Sequence, residues 1–374
     1  MRILLVSSQD YLHHPIPSRH HYIFEELATR HEVHVVHFHT HDPMPPLRQT
    51  KLIVHEATLI PVHNPLIHYV VNAPYHFYIM NKIIKENHID IVVAAHVLAG
   101  SAAIVAARNL GIPVVFDLKD WFPDSAAAYI KNRVVKELVR KVVYHITKWN
   151  LANSNWTTTV SPSLAKKMIP MGHTPEVIMN GVDTTLFKPG PKTKYKDNFI
   201  IGFSGSVERW YALDKIIMSL PVLVGYAPQV KLLIVGGALF TGYQMELRKL
   251  VHVLGMEEYV IWTGSQPYAL LPKYINNMDV CLIPLDPPGW RDIALPNKYF
   301  EYSACNKHIV ATYMRDVMAL HPTNLQVYSN ETQFVQIIKD NIDFTCKHDL
   351  NFEQHSWKSR ATQFERRLLE CLNY

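Results

Sequence analysis

Between Arg291 and Thr312 the chain reads RDIALPNKYFEYSACNKHIVAT, which sets Pro296, Lys298 and Glu301 close together just ahead of an apolar run. Proline suits the first turn of a helix, where a missing N–H leaves no bond unmade. The free N–H groups of such a turn attract anions. Here Leu295, Pro296 and Asn297 would form that turn, and Lys298 adds a full positive charge. Glu301 follows Lys298 by one turn, on a neighbouring face. An ionised carboxylate accepts two hydroxyl hydrogen bonds, so it suits a ribose diol. A cation for a diphosphate and a carboxylate for a ribose together describe a nucleotide site. Taken alone, the pair equally describes a solvated Lys–Glu helix face, which is its commoner meaning.

Other apolar runs end in residues of similar chemistry. IIGFSGS closes on Gly205 and Ser206, with Arg209 shortly after, and small residues there let backbone N–H groups approach a phosphate that a guanidinium also binds. LLIVGG closes on Gly236 and Gly237, and IWTGSQPY carries Ser265 to Tyr268, whose backbone would meet a nucleobase. In parallel α/β sheets ligands gather at such strand ends.

The elements that must position these groups alternate. RILLVSS, EVHVVHF, IDIVVAA, IPVVFDL, TTTVS and PEVIMNG read as strands with helical segments between them. FKPGPKTKYKDN, rich in Pro, Gly and Lys, reads as a linker, and the pattern then restarts with FIIGFSG, VKLLIVGG, YVIWTG, VCLIPL and HIVAT. The expected organisation is a first Rossmann-like domain over 1–188, a linker over 189–198, and a second Rossmann-like domain over 199–350. An amphipathic helix over 351–374 would follow. Both domains are α/β with doubly wound parallel sheets.

The totals narrow the function. The 374 residues suffice for two such domains, and 48 % apolar with 18 % charged residues marks a globular chain. No stretch approaches a membrane-spanning length, and the start MRILLVSSQD reads as a first strand rather than a signal peptide. Net charge is +5, compatible with an anionic small molecule or a lipid surface and too weak to argue for nucleic acid. Cys281, Cys305, Cys346 and Cys371 are scattered, which suits free thiols in a reducing cytosol. The dense histidine stretches HHPIPSRHH and HEVHVVHFHTH read as surface and strand histidines rather than a metal site. The segment 131–150 is basic and amphipathic. Val134, Val135, Leu138, Val139, Val142 and Val143 share a face beside Lys131, Arg133, Lys136, Arg140, Lys141 and Lys148, and Trp149 follows. That face either packs on a core or lies on anionic lipid, which would make the protein a peripheral membrane one.

Taken together, VIMNGVDTTLFKP, the GFSGS and LLIVGG strand ends, LPNKYFEYSA and HIVAT resemble, in order and spacing, the signature of family-four glycosyltransferases with the GT-B fold. FDLKDWFPDS resembles that family's segment near the acceptor site, and PSRHHYIFEELATRHEVHVV its first loop and helix. The resemblance implies two domains facing a cleft, with the terminal helix crossing back to the first. A nucleotide-sugar donor, a UDP- or GDP-sugar, would sit on the second domain and a glycan or lipid-linked acceptor on the first. Glu301 would hold the ribose, while Leu295, Pro296, Asn297, Lys298, the Gly205–Ser206 loop and Arg209 would surround the diphosphate. Gly236, Gly237 and Ser265 would complete the donor site. Acceptor-side positions would be Ser18, Arg19, His20 and Lys119, with His96 and Asp120 as catalytic candidates beside Arg209 and Lys298. The chain has no Asp-x-Asp motif, so basic groups would replace a metal ion, and no cofactor is expected. Retention of configuration, cytoplasmic location at the inner membrane face and a role in cell-surface glycan synthesis are further implications.

The chain departs from the family pattern at several points. Ile293 stands where a second glutamate is usual, with Asp292 adjacent as a substitute. Ser206 replaces the usual arginine, and Lys119–Asp120 replace His-Asp. A nucleotide-sugar 2-epimerase on the same fold and a non-catalytic nucleotide-sugar or glycan-binding protein are the alternatives.

Overall fold

The computed structural model describes residues 1–8, 10–14, 16–39, 48–62, 64–127, 130, 132–238, 241–286, 293, 295–344 and 348–373. The chain forms two compact units, Met1–Met179 with Trp357–Tyr374, and Asn180–Ser356.

The first unit holds seven parallel strands: β1 (Arg2–Val6), β2 (Glu32–His37), β3 (Ile53–Glu56), β4 (Ile91–Ala94), β5 (Val114–Leu118), β6 (Trp156–Thr159) and β7 (Glu176–Val177). Their order is β3-β2-β1-β4-β5-β6-β7, with β1 an interior strand between Glu32–Val35 and Ile91–Ala94. Central strands are covered on both faces, so they read as unbroken apolar runs. Alternate residues feed two cores. Leu4, Val6, Val92 and Phe116 pack with Ile104 and Met80 on one side. Ile3, Leu5, Val93 and Val115 pack with Phe24, Phe364 and Leu368 on the other. Phe364 and Leu368 come from the terminal helix Trp357–Leu372, whose Trp357 stacks on Tyr22 with ring centroids 5.2 Å apart.

The second unit holds β8 (Phe199–Ser204), β9 (Val230–Val235), β10 (Val260–Gly264), β11 (Val280–Ile283), β12 (His308–Thr312) and β13 (Leu325–Tyr328). All are parallel, in the order β10-β9-β8-β11-β12-β13, the doubly wound arrangement that places ligands at the strands' carboxyl ends.

The domain expectation needs two corrections. The first unit ends at Met179, so the NGVD segment belongs to the second. The expected linker is tied down along its length. The Gly190 and Thr193 N–H groups donate to Asn276 and Asn277, each at 3.0 Å, and Lys192 Nζ reaches Asp279 at 2.5 Å. Proline and lysine there mark an irregular strap with fixed backbone bonds, not a free connector. The basic amphipathic segment over 131–150 falls in the helix Arg133–Ala152, capped by the Asn132 side chain and preceded by a short helix Phe122–Ala127. Cys281, Cys305 and Cys371 are free and buried; Cys346 lies outside the described residues.

Candidate functional site

In the second unit three strand ends are stitched together by glycine backbone. The Gly205 N–H bonds to Val235 O at 2.8 Å, and the Gly236 N–H to Gly264 O at 3.0 Å. Gly205 and Gly236 have φ of 135° and 141°, a region closed to most side chains. Space forbids one as well. A Cβ on Gly236 would lie 1.9 Å from Gly205 O, and one on Gly205 would lie 2.5 Å from Lys298 Nζ. The backbone is thus bare where the lysine ammonium arrives. A Cβ on Gly237 would meet Ser265 Oγ at 3.0 Å, so these two expected donor residues also adjoin.

Lys298 projects from the helix Asn297–Ala304. Its Nζ donates to the Tyr211 phenol at 2.7 Å and lies 4.1 Å from the Tyr211 ring centroid and 5.2 Å from that of Phe203. Aromatic faces hold a cation without neutralising it. Among the described residues Lys298 makes no ion pair. It is a half-buried positive charge held by aromatic rings, with the Glu301 carboxylate near enough to feel it but with no salt bridge among the described residues.

Glu301, on the same helix, is buried at 6 % exposure. The Tyr268 hydroxyl donates to its Oε1 at 2.7 Å. Burial pushes the Glu301 carboxyl above its ordinary value, while the Tyr268 bond and the Lys298 charge pull it back. The next residue, Tyr302, holds the helix to β8, its hydroxyl accepting the Ser204 N–H at 2.9 Å. Pro296 is the helix's N-cap rather than its first residue, and Leu295 O accepts from Asn180 Nδ2 at 3.1 Å. The Asn297 side-chain oxygen is buried without a partner among the described residues.

In the first unit the strand ends carry a buried polar network. Arg19 donates to Asp117 at 3.0 and 3.3 Å and to the carbonyls of Ile178 and Met179 at 2.6 and 3.2 Å. His20 bridges Asp117 (3.0 Å) and Ser7 (3.1 Å), and Thr158 donates to Asp117 at 2.8 Å. Burial alone would raise the Asp117 carboxyl, but the Arg19 charge and the His20 bond hold it well below the usual range. Serine, histidine and aspartate in sequence suggest a nucleophile, yet all three are fully buried, so the network locks β5 to the first helix. His96 follows β4. Its Nδ1 accepts the Ala99 N–H at 3.2 Å, its ring lies 3.9 Å from that of Tyr69, and burial pushes it down to about 3, so it is neutral. Lys119 is half-buried, which lowers its affinity for a proton, and Asp120 beside it is exposed.

Comparison with known proteins decides the family. The profile described as Glycosyltransferase Family 4 matches residues 20–186, and that described as Glycosyl transferases group 1 matches residues 198–342. The chain belongs to the family-4, group 1 glycosyltransferases. No curated protein sequence matches this glycosyltransferase. Solved structures share its GT-B fold at low identity. Sucrose-phosphate synthase from Thermosynechococcus elongatus superposes with TM-score 0.79 at 14 % identity, over 99 % of this chain and 98 % of that one. Anabaena Alr3699/HepE in complex with UDP and glucose gives 0.74 at 18 % identity, over 98 % and 99 %. The lipopolysaccharide outer core galactosyltransferase WaaB gives 0.67 at 14 % identity, over 99 % of each.

Against this glycosyltransferase's geometry the sequence expectations sort clearly. Gly205, Gly236, Lys298 and Glu301 converge, and Gly237 adjoins Ser265. Ser206 follows Gly205, half-buried. Arg209 requires correction. Its guanidinium pairs with Glu246 on the helix Tyr243–Val253 and stacks 5.0 Å from the Tyr243 ring, because the short turn Arg209–Tyr211 sends Tyr211, not Arg209, to Lys298. Arg19 and His20 are likewise internal, spent on Asp117 rather than offered to an acceptor. Ser18 is the N-cap of the helix Arg19–Leu27, its N–H donating to His21 Nδ1 at 2.9 Å. Arg291, Asp292, Ala294 and Lys131 lie outside the described residues. Tyr211 and Asp117 went unnoticed in the sequence, and the Tyr268 side chain is committed to Glu301.

Proposed function

We propose that this glycosyltransferase moves a sugar from a UDP- or GDP-sugar to a glycan or lipid-linked acceptor in cell-surface glycan synthesis, with retention of configuration. One observation carries the reading. A lysine that makes no salt bridge among the described residues and a buried carboxylate stand one turn apart on the helix Asn297–Ala304, beside bare glycine backbone. Departure of a nucleoside diphosphate builds negative charge, and a fixed cation stabilises that charge more in the transition state than in the ground state. Lys298 supplies it, so no divalent ion is needed at the diphosphate. The ribose hydroxyls donate to Glu301, displacing or sharing the Tyr268 bond. Acceptor groups meet Lys119, Asp120 and His96 at the carboxyl ends of β5 and β4. The solved complex of Anabaena Alr3699/HepE with UDP and glucose supports a donor of this class.

The test is a panel of UDP- and GDP-sugars with chromatographic detection of nucleoside diphosphate. The expected result is turnover of one donor, unchanged by added Mg²⁺ or Mn²⁺. Tight binding without turnover supports the binding-protein alternative, and formation of an epimeric nucleotide-sugar supports the epimerase.

The same reading places the protein in the cytoplasm at the inner membrane face. No helix among the described residues is long and apolar enough to cross a membrane. The helix Arg133–Ala152, however, leaves Val134, Val135, Leu138, Val142 and Trp149 exposed, at 78, 46, 60, 48 and 41 %. Lys141 and Lys148 flank that stripe, with Arg133 and Lys136 round the helix from it. An apolar stripe with basic neighbours binds anionic lipid, each unpaired basic residue adding roughly 1 kcal/mol near the surface. Co-sedimentation with anionic but not neutral vesicles is expected, and Leu138→Glu should abolish it. Equal sedimentation of parent and variant would contradict this contact.

A further inference from the structure

The geometry points to a divalent transition-metal site, of the kind Zn²⁺ occupies, formed by Asp10, His13 and His37 in the first unit. It shares no residue with the donor site and does not rest on the reading of that site. Asp10 and His13 lie in the loop after β1, and His37 ends β2. Three atoms face one another. His13 Nδ1 is 3.2 Å from Asp10 Oδ1 and 3.2 Å from His37 Nε2, and His37 Nε2 is 3.3 Å from Asp10 Oδ1. Zinc binds imidazole nitrogen and carboxylate oxygen at about 2.0–2.2 Å in a tetrahedron, whose edges are then about 3.3–3.6 Å. The observed triangle is close to one face of that tetrahedron, with the fourth position left for a solvent molecule. All three residues are buried.

The surroundings fix two of the three ligands, and the outer ring nitrogen of His13 is buried without a partner among the described residues. The Asp10 carboxylate accepts the N–H groups of Leu12 at 3.1 Å and His13 at 3.0 Å. The other ring nitrogen of His37 meets Glu56 Oε1, at the end of β3, at 2.7 Å. A carboxylate behind a ligating histidine sets its tautomer and strengthens its lone pair. Without an ion, the two ring nitrogens and the one carboxylate oxygen share a single cluster, the nitrogens 3.2 Å apart, in which not every contact can have its own proton without a doubly protonated ring. An ion replaces that contact with two converging lone pairs. Two imidazoles and one carboxylate suit Zn²⁺ and its neighbours rather than Mg²⁺, which prefers oxygen throughout. An ion here ties the loop after β1 to the ends of β2 and β3.

The full chain, carrying no affinity histidines, is stripped with chelator and titrated with Zn²⁺, and its metal content is measured. One saturable equivalent is expected, together with a rise in Tm and, for Co²⁺, the intense visible bands of four-coordination. Asp10→Asn and His37→Ala should each weaken binding at least about 100-fold, and Glu56→Gln about 10- to 100-fold. His308→Gln, at a histidine pair elsewhere in the chain, should change nothing. Should His37→Ala fail to fold, Glu56→Gln still reads the site, because the Glu56 side chain is 64 % exposed. Absence of a stoichiometric ion, binding undiminished in these variants, or a Co²⁺ spectrum of six-coordination overturns the proposal and leaves His37 as a cation between Asp10 and Glu56.

Discussion

Glu301→Gln is expected to weaken donor binding by about 10- to 100-fold while leaving the empty protein as stable as the parent or more so. The first effect follows from losing hydrogen bonds to a charged, buried acceptor, about 1.5–3 kcal/mol. The second separates a binding role from a structural one. Burial raises the Glu301 pKa from its ordinary 4.5. Below that value both folded and unfolded chains are protonated, and no penalty exists. As pH rises through it the unfolded chain ionises first, so the folded state carries a penalty that becomes full above the raised value. An amide escapes that penalty and still accepts from Tyr268. Donor binding requires the ionised carboxylate, so it should release a proton and strengthen as pH rises through the raised value. In the amide variant this pH dependence should vanish. Calorimetric titration and thermal melts check both halves; loss of stability with unchanged donor affinity would contradict them.

Lys298→Met is expected to lower kcat by about 100- to 1000-fold, with a smaller change in donor affinity, because the charge it meets grows as the diphosphate leaves. Methionine keeps the apolar stem against Tyr211 and Phe203, so the loss reports charge rather than packing. Single-turnover rates at saturating donor make the measurement. An equal loss in affinity with kcat intact would show that the ammonium stabilises the bound ground state and the transition state equally, and would contradict a role in leaving-group departure.

The sequence exposed some parts of this structure and hid others for identifiable reasons. Central strands such as β1, β8 and β9 are buried on both faces, so their apolar runs mark them. β3 and β13 are edge strands with half-exposed patterns, and nothing continuous announces them. Lys298 and Glu301 were legible because they lie one turn apart on one helix. Tyr211 was not, since its meeting with Lys298 spans 87 residues, and no local spacing records it. Arg209 misled for the complementary reason. Its type and position suit a phosphate, but Glu246, from a helix distant in sequence, holds its charge. Arg19, an acceptor-side position by resemblance, is in fact the buried partner of Asp117, across 98 residues. The histidine-rich stretches looked diffuse because Asp10, His13 and His37 meet only once β1 and β2 lie side by side.

The most direct measurement is a crystal structure of the chain with a bound nucleoside diphosphate-sugar. The account predicts ribose hydroxyls within hydrogen-bonding reach of the Glu301 carboxylate, and diphosphate oxygens against the Lys298 ammonium and the Gly205 backbone. Nucleotide bound elsewhere, or a ribose distant from Glu301 while Lys298 stays closed under Tyr211, would contradict it.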